Sequence, residues 1–532
     1  MENNLLLILA LLFIISMLAM LSEKLKISYP IFLVIAGLLI SLIPNIPRIT
    51  LSPDIVFIIF LPPLLYAAAW NTSWRDFWFY KRAISLLAFG LVIFTASAVA
   101  YISHQMIPDF SLAMGFMLGG IISPPDAVAA TSVLQGLKVP KRVVTILEGE
   151  SLINDASSLI VFRFALFELM TGQFVLWNAT IDFFKVTIMG IVIGLAIALV
   201  VYIIHRFLPT TPSIDTAISL VSPYLMYLTA EHFHFSGVLA VVSGGLFLSS
   251  RSHEVFTYGS RLQTYSVWNT LVFMLNGVVF ILIGLQLPDI VKGLGEYALR
   301  DAIFYGVVIS LLTIIIRIIW VFPSAYLPRL LSKHIRKREP NPGWKGVFIV
   351  GWSGMRGVVS LASALAVPTA LANDVQFPHR DLILFITFIV ILFTLVLQGL
   401  SLPLVIRLLR VEVHDDHTKQ EQEMRLRMAS TTLEYLNTEY AEESETIDAF
   451  NRVKARYERM IEIVNQKLVE EEGDHNTAAF LPKYRQMLLG VVDVRRKELT
   501  RMRHERKYDE ELFREKELEL DLEEARLRKL KN

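Results

Sequence analysis

Apolar runs long enough to cross a bilayer follow one another through the first 410 residues of this 532-residue chain. A helix needs about 20 apolar residues to span the hydrocarbon core, and only helices and closed barrels satisfy their backbone groups there. Thirteen runs qualify, at roughly 4–22, 29–44, 51–69, 82–104, 110–136, 142–168, 181–204, 214–230, 233–250, 267–287, 301–326, 346–371 and 381–409. The shortest, 29–44 and 214–230, are the weakest of them. The expected fold is an all-α polytopic membrane protein. The first run lacks a basic leader region and an A-x-A site, so it reads as a retained spanning helix.

Basic residues orient these runs. Loops after odd-numbered runs carry Lys24, Lys26, Arg75, Lys81, Arg82, Lys138, Lys141, Arg142, Arg206, Arg251, Arg261, Arg329, Lys333, Arg336, Lys337, Arg338, Lys345, Arg407 and Arg410. Loops after even-numbered runs carry Arg48, Lys292, Arg300 and Arg380. Lysine and arginine favour the cytoplasmic side, so the N-terminus is placed outside and the C-terminus in the cytoplasm. A miscount by one run would scramble that alternation. Residues 1–410 form the membrane part. From Val411 to Asn532 the chain is dense in Glu, Lys and Arg, with apolar residues three and four apart, which predicts a cytoplasmic helical domain. The net charge of +1 gives no case for a nucleic-acid partner, and the absence of cysteine removes disulfides, thiolate nucleophiles and cysteine metal sites.

An ionisable side chain inside a span is costly and marks function by default. The fifth run, FSLAMGFMLGGIISPPDAVAATSVL, is broken by Pro124 and Pro125 with Asp126 following. Such a break exposes carbonyls and a half-helix N-terminus, the geometry of ion sites in secondary transporters. The sixth run carries GESLIND: Ser151 and Asp155 are four apart and share a face, and Glu150 and Asn154 share a neighbouring one. A carboxylate taken out of water is most cheaply kept neutral, by a proton or by a cation, which makes Asp155 the candidate exchanging group. In the twelfth run, Gly351, Gly354 and Gly357 surround Arg356, which needs a partner; Glu150 is the first candidate and Asp126 the second. Runs five and twelve are an odd number apart and so oppositely oriented, as inverted repeats over runs 1–6 and 8–13 require. Arg163 and Arg317 read as snorkelling or structurally paired. Glu231, His232 and His234 fall in an outside loop, and EHFH is not the zinc pattern HExxH.

The segments FLPPLLYAAAWNTSW (60–74), SPPDAVAATSVLQGLKVP (123–140), EGESLINDASSLIVF (148–162) and GWSGMRGVVSLASAL (351–365) resemble the monovalent cation:proton antiporters of the NhaP/NHE type. The resemblance implies thirteen spans, a core domain with two crossing unwound helices, a dimerisation domain and a homodimer. It implies elevator-like exchange of sodium or lithium for a proton, serving pH and sodium homeostasis at the inner or plasma membrane, with no cofactor. Carried over by position, Asp155 binds sodium and proton, Asn154 is the branch-defining amide, Ser151 is an oxygen ligand, and the stretch at Pro125 and Asp126 supplies backbone oxygen and polar neighbours. Glu150 and Arg356 are then the core ion pair. Two departures remove side-chain oxygens near the expected site: alanine at Ala67 where many relatives carry an acid, and SPPDAVAA where many read TDPVAV. They bear on cation choice, because sodium prefers a compact set of hard oxygens.

A potassium/proton antiporter of the same fold is the alternative. More distant are a passive channel and an intramembrane serine protease, for which Gly351-Trp352-Ser353-Gly354 and His234 would serve, though GESLIND would then go unexplained. No phosphate-binding loop of either Gly-rich type is present, so ATP drive is not expected. Asn154 cannot titrate, so one carboxylate implies one cation per proton and electroneutral exchange.

Overall fold

In the computed structural model, all residues are described except 1, 26, 44–55, 135–136, 138, 173–175, 296, 340, 371–375, 412–415, 442–447, 470–474, 505–509 and 530–532. Lys26, Arg48 and Lys138, used above for orientation, lie outside the described residues. The chain divides into two compact units, Met1–Val413 and His414–Asn532.

The first unit is helical throughout its named elements. In order these are α1 Glu2–Leu25, α2 Tyr29–Ser41, α3 Leu61–Asn71, α4 Trp74–Ser85, α5 Val92–Met106, α6 Leu112–Ile122, α7 Ala127–Leu134, α8 Lys141–Thr171, α9 Leu176–Phe207, α10 Pro212–His232, α11 Gly237–Val255, α12 Tyr258–Leu285, α13 Leu287–Gly293, α14 Leu299–Leu331, α15 Lys333–Arg338, α16 Trp344–Trp352, α17 Val358–Leu365 and α18 Arg380–Leu409. A π-helical turn, Leu86–Leu91, joins α4 to α5. The described part of each apolar run falls largely on a helix or on consecutive short ones. By length and apolarity alone, seven helices among the described residues suffice to cross a membrane. Two of the missing runs fall short because they are too short as helices, Tyr29–Ser41 and Phe57–Asn71, and two more for reasons of sequence. α8 is 31 residues long but carries Glu148, Glu150, Asp155 and Arg163, and the twelfth run is split into α16 and α17 by Ser353–Gly357.

Small residues let the helices approach. Gly115 and Gly119 of α6 lie against Ala100 and Ala96 of α5, and Gly190 and Gly194 of α9 lie against Ser236 and Ala240 at the start of α11. In α2 and α12, Gly37 and Gly284 each press on the other helix's backbone, at Ile281 and Val34. Between helices in lipid, close packing takes the place of hydrophobic drive, which is why glycine and alanine occupy these seams.

The buried side chains form two main clusters. One unites α2, α6, α7, α14, α16, α17 and α18 with part of α8 and α12. The other unites α3, α9, α10 and α11 with Leu152 and Ala156 of α8 and Trp268 of α12. α8 therefore stands at the seam between them.

In the second unit, α19 Asp416–Glu439 packs on α20 Asp448–Val469, and α21 His475–His504 packs on α22 Glu510–Lys529. The second pair buries Val492, Leu520 and Leu527, and runs antiparallel with Arg495 on Glu523 and Arg496 on Asp521 and Glu524. Those ion pairs are exposed, so the apolar seam and not the charges holds the pair.

The α2–α12 contact gives a test. A Cβ branch at Gly284 would collide with the α2 backbone, whereas a methyl at Gly346 meets only Val143 at 3.6 Å. Gly284→Val should cost about 1–3 kcal/mol or more, seen as earlier thermal unfolding of the detergent-solubilised protein. Gly346→Ala should unfold with wild type. Equal melting of the two variants would show that the helices do not approach this closely.

Candidate ion-exchange site

Two helices are interrupted at the same place. After α6 the chain runs Ser123-Pro124-Pro125-Asp126 before α7, and after α16 it runs Ser353 to Gly357 before α17. Proline cannot donate and glycine weakens helix, so both breaks are written locally. The breaks lie against each other: the Asp126 amide donates to the Met355 carbonyl at 2.7 Å. Asp126 also serves both following helices. Its carboxylate accepts from the Val128 and Ala129 amides of α7 at 2.8 and 3.4 Å, and from the Val358 amide of α17. Gly357 is required here, since a Cβ would overlap the Asp126 carboxylate.

Arginines occupy the opposite helix ends. Arg356 donates through Nε to the Ile122 carbonyl, the last of α6, at 2.9 Å, and through a guanidinium nitrogen to the Gly354 carbonyl. Its own amide donates to Thr394 Oγ1 at 3.1 Å. Arg317 of α14 donates through Nε to the Val350 carbonyl of α16 at 3.2 Å. Negative charge sits at two helix N-termini and positive charge at two C-termini, as the helix dipoles favour.

α8 supplies the rest. Glu150 is fully buried and takes both guanidinium nitrogens of Arg317, at 2.5 and 2.7 Å. The expected Glu150–Arg356 pair is therefore corrected: the core pair is Glu150–Arg317, and Arg356 makes no ion pair among the described residues. The reason is local. Arg356 lies in an unwound stretch among free carbonyls that satisfy it, whereas Arg317 sits inside a regular helix whose carbonyls are spent. The signal in IIIRIIW, an arginine in mid-run, called for a buried acid of its own. Arg163 pairs with Glu231 at 2.8 Å.

Ser151 Oγ accepts from the Ala127 amide at 3.3 Å, and Asn154 Nδ2 donates to the Pro125 carbonyl at 3.2 Å. The structure thus brings Ser151, Asn154, Pro125 and Asp126 to one crossing. Asn154 Oδ1 is buried without a partner. Ser157, which the sequence did not single out, donates to the Ala88 carbonyl in the π turn at 2.5 Å and pins α8 to it. Trp320 takes the neighbouring Leu86 carbonyl at 3.0 Å, so side chains satisfy the turn's loosened backbone. Asp155 is 7% exposed, and no hydrogen bond or ion pair to its carboxylate is present among the described residues. It is the one acid at the crossing left without a partner. The serine-protease constellation does not form: Ser353 is buried, His234 is exposed on the turn after α10, and no hydrogen bond joins them.

A family model described as "Sodium/hydrogen exchanger, transmembrane" matches residues 7–408. A Mycobacterium bovis protein described as an uncharacterized Na(+)/H(+) exchanger is 30% identical over 513 residues, 95% of this chain and 93% of that protein. A Bacillus subtilis protein described as a sodium, potassium, lithium and rubidium/H(+) antiporter is 34% identical over 387 residues, 70% of this chain and 57% of that one. The fold is similar to that of the sodium proton antiporter MjNhaP1 from Methanocaldococcus jannaschii, with a TM-score of 0.59 at 19% identity, over 77% of this chain and 100% of that chain.

The corrected pair is open to a double-mutant cycle read by thermal unfolding. Arg317→Met leaves Glu150 buried and unpaired and should cost about 3–5 kcal/mol, and adding Glu150→Gln should recover much of that. Arg356→Met with Glu150→Gln should couple much more weakly, through charge alone and without a shared hydrogen bond. Strong coupling of Glu150 to Arg356 in place of Arg317 would reverse the assignment.

Proposed function

Because the chain belongs to the sodium/hydrogen exchanger family, we propose that it exchanges sodium or lithium for protons one for one, with Asp155 as the carrier. The supporting observation is the charge balance at the crossing. Asp126 and Glu150 carry two negative charges, Arg317 and Arg356 two positive ones, and these cancel. Asp155 is the remainder. In a site of low dielectric it must hold either a proton or a cation, since an uncompensated charge there costs several kcal/mol. Only the neutral forms cross cheaply between faces, which couples the two fluxes without ATP. Glu150, locked to Arg317, and Asn154, which cannot titrate, leave one exchangeable charge and so an electroneutral cycle.

Oxygen ligands are at hand. Asp155 and Ser151 share a face of α8, and Asn154 Oδ1 is a buried amide oxygen with no hydrogen-bond partner among the described residues. These residues fit a small monovalent cation as cargo. The seam between the two clusters supplies the moving surface: the cluster holding the broken helices would shift against the one built on α3, α9, α10 and α11, in a homodimer. The N-terminus lies outside and the C-terminal unit in the cytoplasm of the inner or plasma membrane, where the exchanger serves pH and sodium homeostasis. Potassium is the second reading. The Bacillus subtilis relative's description includes it, and Ala67 and the SPPD break offer fewer side-chain oxygens to enforce a compact sodium shell.

Everted vesicles from an antiporter-deficient host provide the test. A respiration-driven pH gradient is followed with a pH-sensitive dye while sodium, lithium or potassium is added. Wild type should dissipate the gradient with sodium or lithium, and Asp155→Asn should lose essentially all of this. Dissipation by potassium alone would select the second reading. An active Asp155→Asn would remove Asp155 from the mechanism.

A further inference from the structure

Glu148 lies two turns before Asp155 on α8 and belongs to none of the interactions described above. It is a half-buried carboxylate, and no hydrogen bond or ion pair to it is present among the described residues. Seven residues at 3.6 per turn return to within about 20° of the same face, roughly 10 Å along the axis. Glu148 and Asp155 therefore look into the same space.

Burial along α8 marks that face out as a stripe. From Val143 to Ser151 every residue is buried except Val144, Glu148 and Ser151. These three are spaced four and three apart, on one stripe that begins at exposed Lys141 and ends at Asp155. Beyond Asp155 the stripe closes: Ser158 and Phe162 are buried, and their backbone packs directly on Gly120 of α6. The partly exposed part of the stripe thus lies toward the end where α8 begins.

The other charges at that end are spoken for. Asp76 holds Lys141 at 2.7 Å, and Arg142 lies over the Tyr80 ring on another face. Glu339 is held by Arg82 at 2.7 Å. Burial alone would raise the Glu339 carboxyl, but the Arg82 hydrogen bond and the charges of Arg82, Arg142 and Arg329 keep it below the ordinary glutamate value.

We propose that this stripe lines the way in to Asp155 and that Glu148 is its cation-recruiting carboxylate, concentrating monovalent cations in front of Asp155 without itself carrying them across. A single negative charge in a narrow cleft with low-dielectric walls raises the local cation concentration and the rate of entry. Its effect falls with ionic strength, and it acts on half-saturation and not on turnover. This rests on the assignment of Asp155 above and, for the side of entry, on the cytoplasmic placement of the α8 N-terminus.

The everted vesicles expose that face to added cation. Glu148→Gln should raise the sodium concentration for half-maximal dissipation by about fivefold while the response at saturating sodium is kept. Glu148→Asp should restore most of the shift. In wild type, added choline chloride should raise the half-saturating sodium concentration, and in Glu148→Gln this dependence should be much flatter. Half-saturation within twofold of wild type would overturn the proposal. So would a loss of all dissipation in Glu148→Gln with normal membrane abundance, which would make Glu148 part of the exchange itself. Should Glu148→Gln fail to accumulate, a wild-type half-saturation indifferent to choline chloride would refute it equally. Asp155→Asn run in parallel separates the two ideas: its retained activity would remove the carrier assignment whatever Glu148 does.

Discussion

Two helices stopped in the middle of an apolar body leave four helix ends to be satisfied where water is scarce, and the arrangement of the first unit follows from that need. Each end has unpaired backbone groups and a partial charge. Asp126 meets the N-termini of α7 and α17, Arg356 meets the C-terminus of α6, and Arg317 meets a carbonyl of the last turn of α16. A charge placed on a helix end is stabilised by that dipole. The same charge alone in an apolar core would be expelled or neutralised. The breaks and the charges thus require each other, and neither would persist if the other were removed.

α8 ties this crossing to the rest. Around its circumference, Glu150 faces Arg317, Ser151 and Asn154 face the first break, Ser157 faces the π turn, and Leu152 and Ala156 face the second cluster. Gly149 is pressed by Ile84 and Phe77 of α4. A helix fixed on so many sides has its register set to within a fraction of a turn. That precision matters because Asp155 gains its place from the register, its carboxylate having no bonded partner among the described residues.

The apolar runs were legible in the sequence because a bilayer-length pattern is long and repeats many times. The two breaks were legible because Pro124-Pro125 and the glycines around Arg356 act locally. GESLIND was legible as an anomaly in an apolar run, and it does meet the first break through Ser151 and Asn154. What failed was partner choice. Glu150, Arg317 and Arg356 lie on three separate elements, and sequence spacing says nothing of which guanidinium reaches which carboxylate. The deciding factor, that an unwound stretch can satisfy an arginine with carbonyls while a regular helix cannot, appears only with the backbone in place. Ser157 and Trp320 went unnoticed for a similar reason: nothing in LLAFGL announces a π turn with carbonyls to spare.

The seam along α8 has the character that movement demands. Leu152 and Ala156 present aliphatic side chains to the second cluster, where sliding exchanges one set of dispersion contacts for another and breaks no directional bond. A polar link across it, Arg163 to Glu231, lies half-exposed at the closed end, where an ion pair is worth about 1 kcal/mol or less and can be made or broken by thermal motion. The bonds that would be costly to break, Glu150–Arg317 and the bonds of Arg356 and Asp126, all lie inside the first cluster. Strong, bonded contacts within one body and weak, apolar ones between bodies allow the crossing to move as a unit. Asp155, the proposed carrier, is placed at that boundary, on a helix that belongs to both clusters.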